Sequence, residues 1–243
     1  LDGLSKSEAA SRAHELLRKV GLEEKAESWP HMLSGGEQQR VALVRAMAPE
    51  PVLMLMDEPF SGLDVMTRAA VRESARQALL DRGVPSLIVT HDPEEALSLG
   101  DRIAVMLEGK LVQVGDGDDI YDNPSCPFVM ELFGAPNRLP GIVAGGQVAT
   151  PFGPCPAQSF SEGAAVLVMF REDEVTPDST GSGPAGSIVD IRPLGPKDIA
   201  VVRPDAGGAD IFVHFERGHG LKIGLALRLA ADSGSFRLFP DEA

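Results

Sequence analysis

Hydrophobic positions in the first half of the chain follow two periods, one helical and one extended. The helical period of about 3.6 residues predicts helices over 5–20, 34–47 and 65–82. Continuous apolar runs at 51–56 and 86–90 predict two buried strands. Because a helix separates these strands along the chain, we expect a parallel pair joined by a crossover, which is the α/β pattern.

The second half is patterned as a series of short β-rich runs separated by Gly, Pro and Asp. Strands are predicted there at 141–143, 147–150, 165–170, 187–192, 199–203, 211–215, 225–230 and 236–239. Such a series is typical of a small all-β barrel or sandwich. Before residue 135, strands at 103–107 and 111–114 flank 108–110 and predict a hairpin. We therefore predict an α/β domain over 1–134 and an all-β domain over 135–243.

Composition narrows the classes of protein to which the chain can belong. Hydrophobic residues make up 43% of the 243 positions, which excludes disordered and fibrous chains. Acidic residues outnumber basic ones by 36 to 22, for a net charge of −14, so we expect no nucleic-acid partner. No apolar run approaches the roughly 18 residues of a membrane span, so any membrane association is expected through a partner. Two cysteines make no disulfide framework, which favours a reduced cytosolic protein.

A first chemical motif is the octet LSGGEQQR at 33–40. Ser34 is a good helix N-cap, and Gly35 and Gly36 allow another backbone or a phosphate to come close. A helix that begins here directs free N–H groups and the positive end of its dipole outward, which is a geometry that binds phosphate.

A second motif places acidic residues at the end of the first predicted strand. Asp57 and Glu58 lie where ligands bind in open α/β sheets, and Ser61 to Asp64 follow as a turn. His91 ends the next predicted strand, so the crossover should bring its imidazole near the two carboxylates. One acid is suited to hold Mg²⁺ and the other to polarise a nucleophilic water.

In this order and spacing, the motifs resemble those of the ATP-binding-cassette (ABC) ATPases, over essentially all of 1–134. The resemblance implies a partial P-loop NTPase domain in which Asp57 organises Mg²⁺, Glu58 is the general base and His91 contacts the γ-phosphate. It further implies signature contacts, made by Ser34, Gly35, Gly36 and Gln38 to ATP bound by a second subunit. Asp64 would link the two sites of the homodimer.

The chain departs from the ABC pattern in one large respect. It contains no G-x-x-x-x-G-K-[ST], the loop that cradles phosphates, and it opens without Met. We therefore expect an N-terminally truncated chain that by itself binds ATP weakly and does not turn it over at a useful rate.

The segment at 93–134 is similar to cassettes of binding-protein-dependent importers, and Pro136 to Gly141 fit the start of a C-terminal TOBE domain, an OB-like barrel. This likeness implies transmembrane permease subunits as partners, with a periplasmic or extracellular binding protein acting indirectly. It places the protein peripherally at the cytoplasmic face of the inner membrane. Asn137 to Leu139 resemble sulfate/thiosulfate importers and Phe239-Pro240 ferric-iron importers, so an inorganic ion is the expected cargo. Importers of spermidine/putrescine, molybdate or sugars are the alternatives.

Two other functions fit parts of the sequence. A cassette ATPase that acts on DNA or ribosomes shares the motifs but needs a basic surface, which the charge disfavours. A non-catalytic regulatory module would use the barrel to bind a small ligand, with Arg138, Arg171 or Arg192 suited to an oxyanion. Trp29 lies before the signature octet, and we expect it in the core rather than at a docking surface.

Overall fold

A computed structural model gives the structure of the protein as two compact units that divide between Ile103 and Ala104. The residues described are 3–61, 63, 65–81, 83–178, 180–218 and 220–241, without the side chains of 65–67. Asp64 therefore lies outside the described residues, and its predicted role stays a prediction. None of the helices in the described ranges has the length and apolar character that crossing a bilayer requires.

The first unit contains the predicted strand–helix–strand. Its elements are α1 (Lys6–Lys19), α2 (Gly35–Met47), β1 (Met54–Asp57), α3 (Val65–Leu80), β2 (Ser86–Val89) and α4 (Pro93–Leu99). Strands β1 and β2 pair in parallel, in a register that runs from Met54 opposite Ser86 to Asp57 opposite Val89. The predicted α/β pairing is confirmed, and β1 begins three residues later than predicted.

Both predicted helix starts are closed by a capping box. Ser5 caps α1 and Ser34 caps α2, and each serine hydroxyl accepts from the backbone N–H three residues later. In return, a carboxylate of Glu8 or Glu37 accepts from the backbone N–H of the capping serine. These bonds satisfy orphan N–H groups of the first turn and so fix where each helix begins.

The two strands of this unit are covered on one face only. Met54 is buried with Met47 of α2 and Ala78 of α3. Leu55 is 70% exposed, and Leu87 and Val89 are exposed as well. The prediction of buried strands is therefore wrong for this face, because within the described residues the helices pack on the other side of the sheet.

Trp29 is 67% exposed, and the expectation that it lies in the core is wrong. It precedes a short 3-10 turn over Pro30–Met32, and Met32 is exposed as well. The core between α1 and α2 is formed by Leu16, Val20, Leu22 and Val44, without Trp29. These smaller side chains fill the interface of the two helices and leave the indole outside.

The second unit is largely β-structure. Its elements are β3 (Ile103–Leu107), β4 (Lys110–Gly115), α5 (Gly117–Asp122), α6 (Pro127–Leu132), β5 (Asn137–Ala144), β6 (Gln147–Thr150), β7 (Gly153–Pro156), β8 (Ala165–Phe170), β9 (Thr176–Pro177), β10 (Ala185–Leu194), β11 (Lys197–Pro204), β12 (Ile211–Glu216), β13 (Ala226–Ala230) and β14 (Arg237–Pro240). Strands β3 and β4 form the predicted hairpin, whose turn residues Glu108 and Gly109 both have positive φ. The boundary predicted after residue 134 falls inside this unit, just before β5, and as a domain boundary it stays a prediction.

Two five-stranded antiparallel sheets form the barrel-like part. Their orders are β14-β8-β5-β6-β7 and β12-β11-β10-β13-β9. One core cluster takes residues from both, including Val166 and Phe170 from the first and Val202 and Val213 from the second. The predicted α/β unit followed by a small OB-like β-region is thus confirmed.

Sequence reasoning missed β7 because it reads Gly-Pro-Cys-Pro. Proline lacks the N–H that a central strand needs, so two prolines argue against a strand. In the structure β7 is the edge strand beside β6, where an unpaired side tolerates proline. Cys155 still points inward and is buried in the core.

Asn137, at the start of β5, joins the two sheets through its side chain. Its amide donates to the backbone carbonyl of Phe212 at 2.9 Å and accepts from the Phe212 N–H at 2.7 Å. Phe212 lies in β12, the edge strand of the other sheet. Since Asn137 is only 2% exposed, this pair of bonds satisfies buried backbone groups where the two sheets meet.

We predict that Asn137→Ala lowers the free energy of unfolding by about 1–3 kcal/mol for each Phe212 backbone group left unpaired. Urea denaturation measures the change. Asn123→Ala is the matched control, because the exposed Asn123 side-chain amide donates to Asp119, four residues earlier; its effect should stay within about 0.5 kcal/mol. Equal stability of the two variants would contradict the joining role of Asn137.

Candidate functional site

The carboxyl ends of β1 and β2 place the predicted acids and the predicted histidine side by side. The backbone N–H of Glu58 donates to the carbonyl of Val89 at 2.8 Å, so the parallel pairing extends one residue beyond β1. His91 follows β2 by two residues. Because both chains leave the same edge of the sheet, the two side chains can meet in front of it.

Glu58 and His91 do meet. Nδ1 of His91 lies 2.6 Å from Oε1 of Glu58, a distance at which an Nδ1–H donates to the carboxylate. Glu58 has a φ of +47°, which is uncommon for a residue other than glycine. Its backbone is therefore held in a left-handed conformation at the point where its side chain turns to the imidazole, and backbone strain of this kind is characteristic of functional sites.

The electrostatics of the pair follow from its geometry. The hydrogen bond and the negative charge of Glu58 raise the pKa of His91 above its ordinary value, with smaller contributions from Asp92 and Glu95. The imidazole is otherwise open, with its side chain 77% exposed. A histidine in this position can exchange protons with solvent and still remain bound to the carboxylate.

Asp57 is exposed at the last position of β1. A single carboxylate suits Mg²⁺, which usually binds one or two carboxylates together with phosphate oxygens and water. Within the described ranges, no group of three or more His, Cys, Asp or Glu side chains could hold a metal ion. The predicted role of Asp57 in holding Mg²⁺ therefore stays a prediction.

The signature residues form the N-terminus of α2, as predicted. Gly35 and Gly36 make its first turn after Ser34, and the Ser34 N–H donates to Glu37 Oε2 at 2.7 Å. This bond, followed by that of the Ser34 hydroxyl, holds the pKa of Glu37 below its usual value. The Gln38 side chain turns back to donate to the Leu33 carbonyl at 3.0 Å.

Sequence reasoning did not assign a role to Glu37. Its carboxylate occupies the positive end of α2 and is part of the same tip as the predicted phosphate contacts. The signal was the spacing Ser-x-x-Glu, which predicts a capping box.

The three arginines proposed for a regulatory oxyanion site are already paired. Arg171 is buried, donates to the Tyr121 carbonyl at 2.8 Å and stacks 3.7 Å from the centre of the Tyr121 ring. Arg138 pairs with Glu131, and Arg192 with Asp190 at 2.9 Å. An oxyanion would have to displace these partners, so the structure adds no support for the regulatory function.

The chain is similar to known ABC transporter proteins. Residues 3–61 match the family model described as ABC transporter. The sulfate/thiosulfate import ATP-binding protein CysA of Mesorhizobium japonicum is 38% identical over 236 residues, which cover 96% of this chain and 67% of that protein. The chain belongs to the family of ABC importer ATP-binding proteins.

Other members of the family carry different names. The spermidine/putrescine import ATP-binding protein PotA of Pseudomonas fluorescens is 41% identical over 182 residues, which are 71% of this chain and 50% of that protein. The Fe(3+) ions import ATP-binding protein FbpC 2 of Rhizobium meliloti is 42% identical over 179 residues, which are 72% of this chain and 45% of that protein. The chain spans about half to two thirds of the length of these curated relatives.

We predict that the His91 imidazole titrates above the ordinary value of about 6.5, because Glu58 stabilises its charged form. The stabilising contribution of the pair is then fully present below pH 6.5 and is lost as the pH rises through the raised pKa. Nuclear magnetic resonance (NMR) titration of the imidazole nitrogens measures the midpoint.

The Glu58→Gln variant should return the midpoint toward 6.5. Glu73→Gln, which alters an exposed carboxylate on α3, serves as the control and should leave it unchanged. A midpoint in the parent protein that Glu58→Gln does not lower would show that the two side chains are not paired in solution.

Proposed function

We propose that the chain supplies two parts of the ATP-hydrolysing subunit of an ABC importer. One is the hydrolytic edge, formed by Asp57, Glu58 and His91 at the carboxyl ends of β1 and β2. The other is the signature tip, formed by Ser34, Gly35, Gly36 and Gln38 at the N-terminus of α2. The observation that carries the proposal is the contact between Glu58 and His91 at the carboxyl edge of the parallel strands. Membership of the importer family supports it, and so does the capped, glycine-bearing tip of α2.

In the proposed reaction, Glu58 is the general base. Its carboxylate takes a proton from water as the water oxygen forms a bond to the γ-phosphorus of ATP. The bond between that phosphorus and the bridging oxygen breaks, which leaves ADP and inorganic phosphate. His91, held on Glu58, is positioned to donate to a γ-phosphate oxygen and to orient the water.

Mg²⁺ is the proposed cofactor, and Asp57 is the residue that would hold it through one carboxylate. Bound with ATP, the ion would neutralise charge on the phosphate oxygens. Asp57 and Glu58 are adjacent, but the Glu58 carboxylate is engaged by His91, whereas Asp57 is exposed at the end of β1. One acid can therefore serve the ion while the other serves the water.

The signature tip is proposed to act on a second copy of the subunit. Ser34, Gly35, Gly36 and Gln38 would contact ATP bound by the partner, and Asp64 would link the two sites. ATP held between two subunits would close the homodimer, and hydrolysis would open it.

The closing and opening of the homodimer is proposed to move transmembrane permease subunits that bind it. An external binding protein would deliver the cargo to those subunits. The ATPase would then lie peripherally at the cytoplasmic face of the membrane. The docking surface is proposed within residues 1–35. The exposure of Trp29 and Met32 supports this placement, since two large apolar side chains on a surface are typical of a protein interface.

The proposed cargo is an inorganic ion, either sulfate/thiosulfate or ferric iron. Two relatives are named for the import of these ions, and a third for the import of a polyamine. The substrate of such a system is set by permease and binding protein, so uptake by the assembled importer is the measurement that decides among these ions.

We predict that Glu58→Gln retains ATP binding but lowers turnover by about 10²–10⁴-fold, as expected for loss of a general base. The prediction is for an importer whose ATPase subunit joins this chain to the G-x-x-x-x-G-K-[ST] loop that the chain lacks. Steady-state phosphate release and nucleotide binding are measured on the same preparation.

Glu73→Gln is the control and should keep turnover within twofold. The chain alone, which contains no G-x-x-x-x-G-K-[ST], is expected to bind Mg-ATP weakly and sets the baseline. Turnover by Glu58→Gln equal to that of the parent would overturn the role proposed for Glu58.

A further inference from the structure

One guanidinium connects the two loops that carry the proposed hydrolytic residues. Arg68, in the first turns of α3, donates through Nη2 to the Leu63 carbonyl at 3.0 Å. Through Nη1 it donates to Oδ2 of Asp92 at 3.4 Å. Leu63 belongs to the loop that follows β1 and Glu58, whereas Asp92 belongs to the loop that follows β2.

Asp92 is the residue next to His91 and is itself fixed. Its Oδ1 accepts from the N–H groups of Glu94 at 2.9 Å and Glu95 at 3.4 Å, and so caps α4. Its other carboxylate oxygen is the one that faces Arg68. The ion pair therefore attaches the N-terminus of α4 to α3, at the position directly after His91.

Thr90, on the other side of His91, is held from within the unit. Its hydroxyl donates to Oε2 of Glu95 at 2.7 Å and accepts from the Asp92 N–H at 3.0 Å. Glu95 is only 3% exposed. The backbone on both sides of His91 is thus fixed by hydrogen bonds, although the imidazole lies in solvent and is held by Glu58.

We propose that Arg68 is a positioning residue that holds the loop after β2 against the loop after β1, so that His91 meets Glu58. The expected effect of Arg68 on catalysis rests on the proposed function. Its expected effect on the contact between His91 and Glu58 is independent of that function. Arg68 is partly exposed, and ion pairs of that kind add little to global stability, so its contacts are better explained by local alignment.

Position 68 requires the planar, forked shape of a guanidinium. Two nitrogens of one guanidinium reach an oxygen on each loop at the same time. A lysine ammonium is a single nitrogen on a flexible stem and would keep one contact at most. The proposal therefore predicts that lysine does not replace arginine here.

The test uses Arg68→Ala, Arg68→Lys and Asp92→Asn, with Arg76→Ala as the matched control. Arg76 is exposed two turns later on α3, so its removal deletes the same charge from the same helix. Asp92→Asn keeps an oxygen to cap α4 and removes the charge that faces Arg68. The primary readout is the NMR spectrum of the His91 imidazole nitrogens at one pH, which reports its hydrogen bond to Glu58.

In Arg68→Ala and Arg68→Lys, the His91 nitrogens should move toward the shifts of a free imidazole. Asp92→Asn should move them as well, in part because the lost charge no longer raises the pKa of His91. The Arg76→Ala variant should leave them as in the parent protein. Amide exchange in the α1–α2 core, at Leu16 and Val44, reports whether the fold is intact. Unchanged His91 shifts in folded Arg68→Ala or Arg68→Lys would overturn the proposal.

Catalysis provides a second readout in the assembled importer. In an importer whose ATPase subunit joins this chain to a G-x-x-x-x-G-K-[ST] loop, misalignment should lower kcat by up to about 10²-fold. KM for ATP should stay within twofold of the parent, because Arg68 is not among the residues proposed to contact ATP. If the His91 nitrogen shifts move toward those of a free imidazole while kcat stays normal, the positioning role of Arg68 is supported. The proposed role of His91 in hydrolysis is then contradicted. If the Arg68 variants leave the His91 shifts as in the parent protein, the positioning role is refuted, regardless of the kcat of the importer.

Discussion

The parallel pairing of β1 with β2 is the constraint on which the candidate site depends. Its last bond, from the Glu58 N–H to the Val89 carbonyl, sets the distance between the chain that carries the acids and the chain that carries His91. With a different register, the side chains at the ends of the strands would change faces. The 2.6 Å contact between Glu58 and His91 is therefore a consequence of sheet geometry.

Local capping completes the site with little contribution from a large core. Ser34 begins α2, Asp92 begins α4, and each does so with a short polar side chain that satisfies backbone N–H groups. Arg68 then ties the second of these caps to the loop after β1. The polar network thus acts together with the buried apolar cluster of Phe60, Leu63 and Val71 in placing the functional side chains.

Much of this could be predicted from sequence, because the determining signals are local. The capping boxes, the order of the strands and the helix of the signature follow from spacing and residue type. Packing was harder to predict. The apolar strands around Leu55 and Leu87 have the composition of buried strands, yet one face of this sheet is exposed among the described residues. Trp29 shows the same difficulty, since the apolar character of a side chain does not reveal whether the fold will bury it.

Long-range polar contacts are a second feature of the structure that could not be predicted from the sequence. Asn137 and Phe212 are 75 positions apart, and nothing in either neighbourhood predicts that the amide pairs with that backbone. Arg68 is one of several arginines on α3, and only the fold shows that its fork reaches two loops. Such contacts depend on topology, which the periodicity of a single segment does not contain.

The through-hydrogen-bond scalar coupling between the Glu58 amide nitrogen and the carbonyl carbons of β2 tests the central claim most directly. The structure predicts a coupling to the Val89 carbonyl, together with slow exchange of the Glu58 amide. Coupling of that nitrogen to another carbonyl, or exchange of the amide at the rate of an unprotected residue, would contradict the register that brings Glu58 to His91.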